Sequence, residues 1–141
     1  MGWVGQPSIP LSVAGYLKNA LDYLEAARSI DAGRTLQVFT MANEGYFASV
    51  LAVLEFHEVR TMDVGRNLAI QRVPQDLQLS NGEFAAVSRA HERRNNTSYV
   101  PPFPPVSKAE AAAMVAILAK CLPVARTLTG APTAWYLYPA T

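Results

Sequence analysis

The chain has one cysteine among 141 residues, so an internal disulfide is not available to it. That suits a reducing compartment. Charge is scarce too. Charged residues make up 16% of the sequence and the formal net charge is +1. A protein that coats nucleic acid through its whole surface is usually far more basic, so any anion must be met here by a local patch. The histidines are His57 and His91 alone. His57-Glu58 lacks the second histidine of a zinc-protease helix, and no metal or other cofactor is expected. Gly-x-Ser-x-Gly, phosphate-loop and Gly-x-Gly-x-x-Gly patterns are absent. Cys121 falls on an apolar helix face and reads as a core residue. No uncharged, unbroken run of roughly 18 apolar residues is seen, so no membrane span is expected. Met1 to Pro10 carries no basic residue and no apolar run of signal-peptide length. It reads as an irregular arm on a cytoplasmic protein.

What the sequence does have is apolar material at helical spacing. Half of its residues are hydrophobic, enough for one real core. Val13, Tyr16, Leu17, Ala20, Leu21, Leu24 and Ala27 follow three- and four-residue steps, which predicts an amphipathic helix closed by Asp31-Ala32-Gly33. A second helix is predicted from Thr35 to about Arg60, with Val38, Met41, Ala42, Gly45, Ser49, Val53 and Leu54 as its stripe. Tyr46, Val50 and Phe56 widen that stripe, so this helix should be central. Gly45 costs about 1 kcal/mol of helix propensity against alanine, and a close neighbouring helix would explain it. A short helix from Asp63 to Val73, ended by Pro74, and a connection over Gln75 to Leu79 are expected next.

Two later helices announce their own starts. Ser80-Asn81-Gly82-Glu83 and Ser107-Lys108-Ala109-Glu110 both have the capping-box pattern, with serine at the N-cap and glutamate three residues on. The first predicts a helix carrying Phe84, Val87, His91 and Arg94 on one side. The second predicts an alanine-rich helix with Met114, Val115, Leu118, Cys121, Leu122, Ala125 and Leu128, which Pro123 should kink or end and Gly130 should stop. Between them, four prolines in Val100 to Val106 favour a stiff extended link. The expected architecture is an all-α, up-and-down bundle of about five helices, four long and one short. It spans residues 11–130, between an N-terminal arm (1–10) and an aromatic tail (131–141). Trp135, Tyr136, Leu137 and Tyr138 in that tail must fold back or meet a second subunit.

Chemistry concentrates in Arg89 to Tyr99, where three arginines, a histidine, two asparagines and a tyrosine share eleven residues. A solvated helix end, with cations favoured by the macrodipole, accounts for Arg89 and Arg93. Arg94 falls on the apolar side with Phe84, Val87 and His91, and a guanidinium there needs partners or a ligand. Asn95 and Tyr99 can supply hydrogen bonds.

Arg94-Asn95-Asn96-Thr97-Ser98-Tyr99, placed at the end of the penultimate long helix and followed by a proline link and a capped last helix, resembles the HEPN superfamily. That superfamily is a bundle of about five helices with an arginine, a polar residue, a four- to six-residue gap and a histidine. Here tyrosine takes the place of histidine, a form similar to that of one branch. The resemblance implies a homodimer and a metal-independent ribonuclease or RNA- or nucleotide-binding protein. It also implies a toxin–antitoxin or defence role, with a cognate antitoxin or nucleotidyltransferase as partner. Carried over, Arg94 binds phosphate, Asn95 orients it, and Arg93 and His91 add to the phosphate site. Tyr99, with an ordinary pKa near ~10, is a poor general base at neutral pH, which argues against strong catalysis. The alternative is a non-catalytic interaction module, in which the arginine–tyrosine motif is a hydrogen-bonded knot tying the helix end to the link. An antitoxin-like or regulatory role stays open beside both.

Overall fold

A computed structural model describes residues 11–57, 73–96 and 105–131, with the side chains of 94–96 outside the described set. The protein is all-α: α1 (Leu11–Ser29), α2 (Thr35–Phe56), a single turn α3 (73–76), α4 (Asn81–Asn96) and α5 (Lys108–Leu128). The expected short helix over Asp63 to Val73 lies outside the described residues up to its last position. So do the arm, the aromatic tail and most of the proline link.

α1 buries the predicted stripe, Val13, Leu17, Ala20, Leu24 and Ala27, with Tyr16 and Leu21 half-buried beside it. It ends without the expected left-handed glycine. Ser29 Oγ donates to the Glu25 carbonyl at 2.6 Å, Ile30 N–H to Ala26 O at 3.2 Å, and Arg34 N–H to Asp31 O at 2.9 Å. These bonds close the turn by themselves. Among the described residues, positive φ belongs only to Gln78 and Gly130.

α2 runs back against α1. Ser12 Oγ donates to Glu55 Oε1 at 3.4 Å at one end of the pair, and Ala20 and Tyr23 meet Gly45 midway. α2 is the central helix, as expected, and buries twelve residues. A second stripe, Phe39, Asn43, Tyr46 and Val50, is buried beside the predicted one, whereas Phe56 near the C-terminus is exposed.

Gly45 is where three helices converge. A methyl group placed there would lie 2.5 Å from Leu118 Cδ2 of α5, 3.0 Å from Tyr23 Cβ and 3.3 Å from the Ala20 carbonyl of α1. The propensity lost at this glycine is offset by close approach of both neighbours.

α5 completes the packed bundle with α1 and α2. It buries Ala111, Met114, Ile117, Leu118, Cys121, Leu122 and Ala125. Its capping box is formed as predicted: Glu110 N–H donates to Ser107 Oγ at 3.0 Å and Ser107 N–H to Glu110 Oε1 at 3.1 Å. Pro123 does not end the helix, which continues to Leu128. The proline is exposed, so water can serve the carbonyl one turn back that loses its donor. Gly130, at φ +71°, is the stop. Its N–H donates to Thr127 O and Ala131 N–H to Arg126 O, both at 3.1 Å, which is a Schellman closure. By length and composition alone α5 could cross a membrane. No membrane span is expected from the sequence, and in the fold α5 is a core helix with one buried face.

α3 corrects the expected connection over Gln75 to Leu79. Pro74 stands inside the helical turn described over 73–76, so helical backbone continues past the proline expected to end it. Val73 and Leu77 are buried. α4 begins with the predicted box, Glu83 N–H to Ser80 Oγ at 3.1 Å and Ser80 N–H to Glu83 Oε1 at 2.9 Å. It runs antiparallel to α5: Lys120 meets Glu83 at one end, and Glu110 shares a cleft with Arg89 and Arg93 at the other. The helix directions therefore alternate, as expected.

Candidate anion-binding clefts around Arg93

The inward face of α4 is turned from the predicted one. Val87 and Ala90 are buried, while Phe84 and His91 are only half-buried. Arg94 and Asn95 occupy the last turn of α4, where the side chains are outside the described set, and Tyr99 lies beyond it. The Arg94–Tyr99 pairing therefore lies outside the described residues.

The inward arginine that the structure does describe is Arg93. A fully solvated helix-end position, one of the two readings of Arg93, does not hold. Arg93 is half-buried, and its guanidinium carbon sits 5.8 Å from the centre of the Phe39 ring. Positive charge over an aromatic face is attracted by the ring quadrupole. The face of α4 made by Ala86, Ala90 and Arg93 turns toward α2, so Arg93 projects across Phe39 and not away from the bundle.

Arg93 forms a wall between two clefts. The larger, about 390 Å³, lies between α4 and α5, with Phe39 and Met114 at its base. Alanines 86, 90, 109 and 113 form its sides, and Arg89, Arg93, Glu92 and Glu110 supply its charges. The smaller, about 240 Å³, lies between α4 and α2 and is bordered by Leu36, Phe39, Thr40, Asn43, Glu44 and Ala90.

The two glutamates of the larger cleft are not equivalent. Glu110 is turned to the helix cap: the Ser107 N–H holds its carboxyl below the usual carboxylate range, with Arg93 and Arg89 adding to the effect at longer distance. Its carboxylate stays ionised beside Arg93 and Arg89, so the larger cleft carries charges of both signs. Glu92 is exposed.

Elsewhere the described side chains offer little chemistry. His57 caps the end of α2, exposed, its ring edge-on to Phe56 at 5.3 Å. Among the described residues no group of three His, Cys, Asp or Glu side chains could hold a metal ion. Burial pushes the Cys121 thiol up to about 12, with the Glu83 charge adding to it, so it is not a nucleophile at neutral pH.

Sequence reasoning missed Phe39 and the orientation of Arg93, and it placed Met114 on the apolar stripe of α5 without the cleft beside it. A signal was available for the first: Phe39, Asn43, Tyr46 and Val50 repeat at four-, three- and four-residue steps, a second helical stripe on α2. Comparison with protein-family models, with curated proteins and with solved structures gives no match.

Proposed function

We propose that this protein binds a phosphate-bearing ligand, RNA or a nucleotide, at the C-terminal half of α4. The supporting observation is Arg93, held half-buried over Phe39 between two open clefts with Arg89 beside it. A guanidinium ordered by an aromatic face loses less freedom when it grips a phosphate in a fork. An aromatic ring and apolar walls beneath it suit a base or a sugar face. Arg94 and Asn95 follow directly in the sequence, and the resemblance of Arg94 to Tyr99 to the HEPN motif gives them, with His91, a part in phosphate binding. The same resemblance supports a homodimer and a toxin–antitoxin or defence setting. With tyrosine in the histidine position, binding with weak or no cleavage is the activity expected.

The test is binding of a labelled single-stranded RNA and of a nucleoside monophosphate to wild type, Arg93→Ala, Arg94→Ala and Arg89→Ala. Each lost phosphate contact should weaken RNA binding and reduce the salt dependence by roughly 0.7 in log–log slope. Wild type that binds neither ligand at low salt, or arginine variants that bind like wild type, would remove the reading.

The interaction-module reading is favoured by a different observation. Leu36 is 57% exposed at the edge of the smaller cleft, and both clefts have largely apolar walls. On that reading the arginine-to-alanine variants lower the melting temperature and leave partner binding intact at permissive temperature.

A further inference from the structure

α4 is held unevenly along its length. Its first turn is fastened, with Lys120 Nζ donating to Glu83 Oε1 at 2.6 Å while Glu83 also closes the cap at Ser80. Past that turn only Val87 and Ala90 are buried among its described side chains, with half-buried Arg93 lying over Phe39 of α2. One cleft opens on its α5 side and another on its α2 side. α1, α2 and α5 bury five, twelve and seven residues in a core they share. Their central contact, Gly45 against Ala20, Tyr23 and Leu118, involves no residue of α4.

The chain enters α4 through a sharp reversal. Gln78 has φ +63°, the left-handed region that side chains disfavour. Gln78 N–H donates to Gln75 O and Leu79 N–H to Pro74 O, both at 3.0 Å, so the turn of α3 is closed off before α4 starts. No helical hydrogen bonding carries through from α3 to α4, and a pivot there leaves the ladders of both helices intact.

We propose that α4 is a latch. It swings about the Gln78–Ser80 turn and leaves the α1–α2–α5 bundle without unfolding it, baring Phe39 and Met114 on the bundle and Val87 and Ala90 on itself. Local opening is least costly where few apolar side chains are buried, and among the described side chains α4 buries the fewest of the long helices. Each opening widens the Arg93 clefts and bares their floor, whatever ligand they take, so the inference does not rest on the proposed function.

Thiol labelling tests it, because Cys121 is the only native cysteine and is fully buried in the bundle. Val87→Cys puts a second thiol under the latch, at a position 2% exposed. Under native conditions the new thiol should react on the order of 100-fold faster than Cys121, which waits for the bundle to unfold. Adding Lys120→Met, which leaves the Ser80 cap in place, should speed the new thiol roughly two- to fivefold and leave Cys121 unchanged. Equal rates for the two thiols would overturn the proposal, and indifference to Lys120→Met would overturn the fastening at Glu83. Amide hydrogen exchange on the unmutated chain supplies a second reading. Once released, α4 is a short helix that is marginal by itself in water, so amides of residues 85–93 should exchange as a group, ahead of those of α2 and α5. Protection equal to that of α2, or early exchange confined to the last turn of α4, would overturn the latch.

Discussion

At the residue scale, two positions show how packing overrides local preference. Gly45 is a poor helix former in the middle of the most buried helix, and alanine there would return about 1 kcal/mol of propensity. The added methyl has nowhere to go. Leu118 is fully buried and cannot swing aside, and Tyr23 Cβ and the Ala20 carbonyl are fixed by the backbone of α1. Overpacking of this kind costs about 1–3 kcal/mol, so Gly45→Ala should lower stability by up to about 2 kcal/mol in urea unfolding. A second change, Leu118→Ala, should cost less in the Gly45→Ala background than in wild type, since it relieves the closest contact. Additive losses would mean that the glycine is not set by its neighbours. The close approach could be read from the sequence because a glycine in a helix this apolar demands a reason. The direction of Arg93 could not. Arg93 and Arg94 are adjacent, and a rotation of about 100° per residue decides which of them faces Phe39. That rotation follows from seating Val87 and Ala90, not Phe84, against the bundle.

At the element scale, the helices most legible in the sequence are those with both a stripe and a signal at an end. α4 and α5 start where their serine–glutamate boxes place them, and α1 buries its predicted stripe. Proline was the misleading signal. Helical backbone continues past Pro74 to residue 76, and Pro123 sits on the outer side of α5, so neither ends a helix. The two capping boxes look alike in sequence but belong to elements held to different degrees, and the same mutation should read differently in each. Ser107→Ala should cost about 1 kcal/mol of global stability, because α5 is part of the core. Ser80→Ala should appear mainly as faster hydrogen exchange along α4, with a smaller shift of the melting temperature. Acid should act on α4 in the same way. The Lys120 ammonium and the Ser80 N–H hold the Glu83 carboxyl below its ordinary range. The attachment is therefore complete above an unfolded-chain value of about 4.3 and is lost as pH falls through the lower folded value. Exchange in α4 should accelerate below about pH 4 relative to α2, after correction for intrinsic rates. A parallel response in both helices would show that Glu83 has no local role.

At the scale of the whole molecule, stability rests on a core in which two ionisable groups are kept neutral. Tyr46 is buried with a hydroxyl that has no hydrogen-bond partner. Burial raises its pKa, and the neighbouring Cys121 raises it further. Cys121 is itself pushed up to about 12. Both are acids whose folded pKa exceeds the unfolded one, so the protein keeps their full contribution below the unfolded values, roughly 8.5 for the thiol and 10 for the phenol. Above those values the unfolded chain ionises while the folded chain cannot, and stability declines by up to about 1.4 kcal/mol per pH unit for each group. Urea unfolding at neutral pH and at several steps above pH 9 should show this decline. Cys121→Ala should flatten its early part, and Tyr46→Phe should flatten the part beginning near the phenol's unfolded value. Tyr46→Phe should also leave neutral-pH stability unchanged or raise it, because it removes a buried hydroxyl that bonds to nothing. If Tyr46→Phe instead destabilises the protein at neutral pH and keeps the alkaline decline of wild type, the phenol has a partner within the fold and the core where α1, α2 and α5 meet is held by more than packing.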